Sequence, residues 1–293
     1  MVRLHLVVPF LLLVIFGALL AGCANHSNSN ANPPAAQAAA PAGNDTSQTP
    51  AVTPEEVASA EGKYNANLPA ATPGGVNVHW YGHGFIYLTS SVGVRAAIDP
   101  FGPDTVHYKF PTHLVADFVL VSHEAEDHAY TDNIFGNPLI FRSVTAVGLN
   151  RANGIPFHGI ALQRDPAGLG GANTAFTLAF DGITFCYLGQ ITQPLLSEEK
   201  QEIGHVDVVF LPVGLEWLSV SDFDQVARDI GASIIIPINY KTDYSGDLDL
   251  RTLDDYLAGT KFRIHHINSD EVLITRASLP ATPTICVMKS PDQ

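Results

Sequence analysis

Beyond residue 75 the chain is written in short apolar runs separated by turn residues. Residues 76–81, 85–89 and 94–98 are rich in β-branched and aromatic side chains and are divided by glycine-containing turns, which predicts three successive strands. The run Phe118-Val119-Leu120-Val121 is apolar throughout, the pattern of a strand covered on both faces, and it delivers the chain to Ser122 and His123. Further strand-like runs follow at 173–180, 183–188, 206–211 and 234–238. Between the last two, Phe223, Val226, Ala227 and Ile230 recur at i, i+3, i+4 and i+7, with Ser219 before them and Gly231 after. That spacing predicts an amphipathic helix over 219–230 with both caps in place. A second helix is expected to carry Leu250, Leu253 and Leu257 and to stop at Gly259, after which strands resume from Phe262. Strands followed by strands alternating with helices predict an α/β domain of sheets covered by helices.

The first 75 residues have a different pattern. Residues 1–22 combine a positive start at Arg3, an apolar run from Leu6 to Leu20 and small residues at its end, the layout of a secretory signal. Leu20-Ala21-Gly22-Cys23 resembles the bacterial lipobox, so Cys23 is expected to be lipidated and the domain to be held at a membrane in the extracytoplasmic cell envelope. Residues 23–75 are poor in large apolar side chains and rich in Ala, Asn, Pro, Ser and Thr. They read as a disordered linker, because they cannot bury enough surface to offset the entropy of ordering. The folded domain is then 76–293. Its two remaining cysteines, Cys186 and Cys286, each lie in a strand-like run and are expected to be buried thiols rather than a bridge.

Charge narrows the partners. The 293 residues carry 15 Lys+Arg against 29 Asp+Glu, a formal charge of -14, most of it beyond residue 75. Such a field repels phosphate backbones, so no nucleic-acid partner is expected. The 12 histidines are many beside so few basic residues, and His is the commonest metal ligand. His265 and His266 are adjacent in a strand-like run, point to opposite faces and cannot share a metal. Gly168, Gly170 and Gly171 precede no Lys-Ser/Thr, which argues against a phosphate loop, and no Gly-x-Ser-x-Gly elbow occurs.

The richest chemistry follows the run at 118–121, in Ser122-His123-Glu124-Ala125-Glu126-Asp127-His128. This segment resembles the His-x-His-x-Asp-His motif of the metallo-β-lactamase superfamily, in particular its Zn-dependent hydrolase branch that includes ascorbate-6-phosphate lactonase-like proteins. Gly82-His83-Gly84-Phe85, Ile98-Asp99-Pro100-Phe101, Tyr187-Leu188-Gly189-Gln190 and Pro237-Ile238-Asn239-Tyr240-Lys241 resemble further family blocks, in the family's order. The resemblance implies an αββα sandwich and a two-metal hydrolytic centre.

Carried over residue by residue, the metal centre is incomplete. His123 stands at the first ligand position, and Asp127 and His128 at the pair on the turn. Ala125, Arg164, Gln190 and Asn239 occupy the remaining four of seven positions. The substitutions replace an anionic ligand and add the Arg164 cation, which the resemblance places near Asp127 as an ion-pair partner. Glu124 and Glu126 alternate away from the ligands and read as solvated carboxylates, and His158 as a packed or exposed side chain. Two functions follow. One is a domain without cofactor, inactive in two-metal hydrolysis, whose pocket of His83, His123, Asp127, His128, Arg164, Gln190 and Asn239 binds a small molecule or protein. The other is a metal-dependent hydrolase of ester, lactone or phosphoester substrates with a rearranged site. There His123, Asp127 and His128 would hold zinc or another divalent metal, and Asp127 would be the catalytic residue.

Overall fold

A computed structural model describes residues 74–162 and 171–291. The signal and linker segments, with Cys23, and the Arg164 position lie outside the described residues.

The strands are β1 (Gly75–Gly82), β2 (Phe85–Thr89), β3 (Arg95–Ile98), β4 (Leu114–Val115), β5 (Phe118–Val121), β6 (Ile134–Phe135), β7 (Leu139–Arg142) and β8 (Gly148–Ala152). They continue as β9 (Ile155–Leu162), β10 (Asn173–Phe180), β11 (Ile183–Tyr187), β12 (Val208–Pro212), β13 (Ile234–Ile238), β14 (Arg263–His266), β15 (Glu271–Thr275) and β16 (Thr284–Val287). One sheet has the order β15-β1-β2-β3-β5-β7, and the second β14-β16-β13-β12-β11-β10-β9-β8. Hairpins and the β1–β15 pair are antiparallel, whereas β3, β5 and β7, and β11, β12 and β13, run parallel. The helices are α1 (Ser197–Ile203), α2 (Val220–Asp229) and α3 (Leu253–Gly259).

Strand periodicity explains why the central runs are apolar throughout. Ile86, Leu88, Phe118 and Leu120 face the second sheet and join Phe157, Phe176, Phe180 and Phe185 in the main core. Phe118 stacks on Phe157 with ring centroids 6.1 Å apart. The alternate residues Phe85, Tyr87, Val119 and Val121 are buried on the other face, under Phe101, Val106, Tyr108 and Leu114 from the segment between β3 and β5. That outer face is covered by loop and the short β4–β6 pair, while α2 lies against β12 and against α3.

The helix at 219–230 forms as Val220–Asp229, with the Ser219 side chain accepting from the Asp222 amide. The next helix begins later than its leucine spacing predicts. Thr252 caps it through the Asp255 amide, and Leu250 precedes it in the loop, partly buried against the core. Cys186 is a buried free thiol on β11, and Cys286 on β16 is free and only partly buried. Two strands separate theirs in the sheet, about 14 Å at the usual strand spacing, well beyond disulfide reach.

Candidate functional site

The strand ends assemble the site. His83 sits in the β1–β2 turn at φ 49°, with its carbonyl accepting from the Trp80 indole at 2.9 Å. Asp99 follows β3 at φ 48°, His123 follows β5, Gln190 follows β11, and Asn239 follows β13 at φ 54°. The Asn239 amide donates to the His83 carbonyl at 3.1 Å, tying the end of the second sheet to the hairpin of the first. Gly84 is needed at this junction. A Cβ there would stand 2.8 Å from Asn239 Oδ1, 2.8 Å from the Tyr187 hydroxyl and 3.0 Å from His128 Nε2.

Two hydrogen-bonded chains result. In the first, His83 Nε2 donates to Asp127 Oδ2 at 2.9 Å, and His128 Nδ1 lies 3.1 Å from the other oxygen, Oδ1. The Asn239 amide nitrogen then meets His128 Nε2 at 2.9 Å, which makes that ring nitrogen an acceptor. In the second, the Ser122 main-chain amide donates to Asp99 Oδ1 at 2.7 Å and its hydroxyl to Asp99 Oδ2. The Ser122 oxygen is 2.8 Å from His123 Nδ1, so it accepts from that ring. The chains meet where the His123 and His128 rings lie 4.3 Å apart.

The environments push the two carboxyls apart. Burial raises Asp127, but the charge and hydrogen bonds of His128 and His83 outweigh it and hold the carboxyl well below its usual range. Asp99, fully buried, is raised by desolvation to about 6 despite His128 and Ser122. Burial also drives His83 below its ordinary value, against the pull of Asp127, which keeps the ring neutral at pH 7.

The structure divides the residues singled out in the sequence. His83, Asp127, His128, Gln190 and Asn239 line one cleft of about 420 Å³. His123 and Ala125 line a separate cavity of about 640 Å³ beside Arg142, with Gln190 bordering both. His123 is therefore absent from the cluster of close donors, and His83 stands in the place given to it among expected ligands. Glu124 is exposed and paired with Arg142 at 2.5 Å, and Glu126 is exposed; both lie in the loop and turn after β5, not on a strand. Asp99, Ser122 and Tyr187 received no role from the sequence. The Asp-Pro-Phe turn was visible, but nothing in it says that its carboxyl reaches the serine two strands of sequence away.

These residues do not fit a two-metal centre. Ala125 has no donor atom, and Gln190 and Asn239 offer only amides where the resemblance expects an anionic and an imidazole ligand. A single ion is a different matter. Ligand atoms of His83, Asp127 and His128 lie within 4.8 Å of one another, little more than the roughly 4.2 Å across a metal with bonds of about 2.1 Å.

The sequence and fold place these features in a family. A model of the beta-lactamase superfamily domain matches residues 77–239, more than half of the chain and nearly every site residue. The chain belongs to that family. Within the beta-lactamase superfamily it is 31% identical over 193 residues to a UPF0173 metal-dependent hydrolase of Methanoregula boonei, an alignment covering 57% of this chain and 83% of the relative. A UPF0173 metal-dependent hydrolase of Alkaliphilus metalliredigens is 22% identical over 199 residues, covering 57% of this chain and 86% of that protein. Among solved structures, a proposed Zn-dependent hydrolase of the metallo-beta-lactamase superfamily from Thermotoga maritima superposes with TM-score 0.60 at 26% identity. It covers 74% of this chain and 100% of that one. The αββα sandwich expected from the motifs is therefore the fold of this chain.

Proposed function

We propose that this domain retains the cleft of its hydrolase family as a small-molecule binding site and does not run two-metal hydrolysis. The observation that carries the reading is the pairing of residues at the expected ligand positions with one another and with their neighbours. Both Asp127 oxygens face imidazoles, His128 Nε2 faces the Asn239 amide, and His123 Nδ1 faces Ser122. A metal at these positions would have to displace the contacts of Asp127 and His128, which offsets part of what coordination would gain. The apolar segment and lipobox-like Leu20-Ala21-Gly22-Cys23 support a domain carried on a lipid anchor and linker at the outer side of a bacterial membrane.

A second reading has a specific observation behind it. The His83, Asp127 and His128 donors match the three-protein-ligand count of catalytic metal sites, and the UPF0173 relatives are named metal-dependent hydrolases. Those three side chains would hold one divalent ion, which would supply Lewis-acid activation of a water or ester carbonyl. Metal analysis of the purified full chain separates the readings. No tightly held ion supports the binding site, whereas one ion per chain, lost in His83→Ala, supports the single-ion hydrolase. Two ions per chain would overturn both.

A further inference from the structure

The rim of the 420 Å³ cleft is built by two loops, and both are clamped from within. The loop after β12 carries Trp217, whose side chain is 60% exposed at the cleft mouth. Arg251 fixes both ends of this loop: its guanidinium donates to the Val213 carbonyl at 3.2 Å and to the Leu218 carbonyl at 2.9 Å, and its amide to Gly214 at 2.7 Å. Across the cleft, Lys241 Nζ donates to the carbonyls of Gly246 at 2.9 Å and Leu248 at 2.7 Å. The cations on these loops are thus turned to main-chain oxygens.

Among the described residues, what remains for a ligand is acidic and apolar. Among the described lining residues the formal charges are Asp127 at the floor and Glu216 and Asp249 at the rim, with no Lys or Arg. A divalent ion at the floor would still leave this set negative. Leu215, Leu248 and Leu250 form the wall between.

The floor adds an independent observation. His83 and Asn239 are each 1% exposed, and His83 Nδ1 and Asn239 Oδ1 have no hydrogen-bond partner among the described residues. Because His83 Nε2 donates to Asp127, Nδ1 of the neutral ring is an acceptor, as is the Asn239 oxygen. Two buried acceptors without donors are costly, and they leave the floor of the cleft with no donor that would attract an anion.

Resting on the reading of the cleft as a binding site, we infer that its ligand is a small cationic amine with a flat or aliphatic body. The ammonium group faces the carboxylates, and the body packs on Trp217 and the leucine wall. An indole face beside carboxylates is attractive to a cation and repels an anion.

The test is binding of three matched probes, benzylammonium, benzyl alcohol and phenylacetate, to the full chain at pH 7 by ligand-observed NMR. Benzylammonium is expected to bind at least about tenfold tighter than phenylacetate, the ratio set by a difference of about 1.4 kcal/mol. The preference should shrink at least threefold in the Glu216→Gln/Asp249→Asn variant and in 1 M salt, where the Debye length is about 3 Å. Trp217→Ala should weaken benzylammonium and benzyl alcohol alike. Phenylacetate binding as tightly as the amine, or a preference unchanged in the double variant, would overturn the charge assignment while leaving the cleft a binding site. Failure of all three probes to bind would overturn both this inference and the binding reading.

Discussion

Asp99 and Asp127 sit on the same side of the sandwich, and their surroundings push them in opposite directions. Asp127 gains from two imidazoles and stays ionised, so its contribution to stability is present above the unfolded carboxyl value and is lost as pH falls. Asp99 is raised by burial from 3.8 to about 6, so the folded state takes up its proton first. Its contribution is therefore fully present below 3.8 and disappears as pH rises through about 6. Between those values the slope is about 1.4 kcal/mol per pH unit, favouring the fold at the acid end. Urea unfolding of Asp99→Asn against the parent from pH 4 to 7 should show the parent gaining stability relative to the variant as pH falls. A difference independent of pH would contradict the burial of an ionisable Asp99. His83 was legible only as a pocket residue through its Gly-His motif, because its approach to Asp127 depends on a left-handed turn closed by Trp80 and Asn239. The hydrogen bond of His123 Nδ1 to the preceding serine was not legible, since it depends on Asp99 holding the Ser122 hydroxyl.

At the level of elements, the fold was legible wherever a strand is buried on both faces. Phe118 to Val121 reads as a strand because its two faces meet two different cores. Leu250, Leu253 and Leu257 have helical spacing, yet Leu250 belongs to the cleft wall, and the Thr252 cap with Asp254 and Asp255 behind it marks the true start. The loop pairing at the rim makes its own prediction. A Cβ at Gly214 would stand 1.9 Å from the Asn239 carbonyl oxygen and 2.7 Å from Tyr240 Cα, both main chain. Gly214→Ala should therefore cost about 1–3 kcal/mol in urea unfolding, as overpacking does, and should weaken benzylammonium binding by displacing the Trp217 loop. Unchanged stability and binding would show that the loop is not held as described.

For the whole molecule, two matters extend beyond the sandwich. The lipid anchor proposed at Cys23 predicts that mature protein, analysed by mass spectrometry from its native host, begins at a diacylglyceryl-modified Cys23; a chain retaining residues 1–22 would contradict it. The family relation carries an expectation of metal-dependent hydrolysis that the site residues meet only in part. Four of the seven motif positions have changed. Asp127 is paired with His83 and His128, and His128 with Asn239, while His123 Nδ1 is bonded to Ser122. The most direct test is the number of transition-metal ions per full-length chain after purification without chelators, measured by inductively coupled plasma mass spectrometry. The proposed loss of the two-metal centre predicts one ion or none per chain, and two tightly bound ions per chain would contradict it.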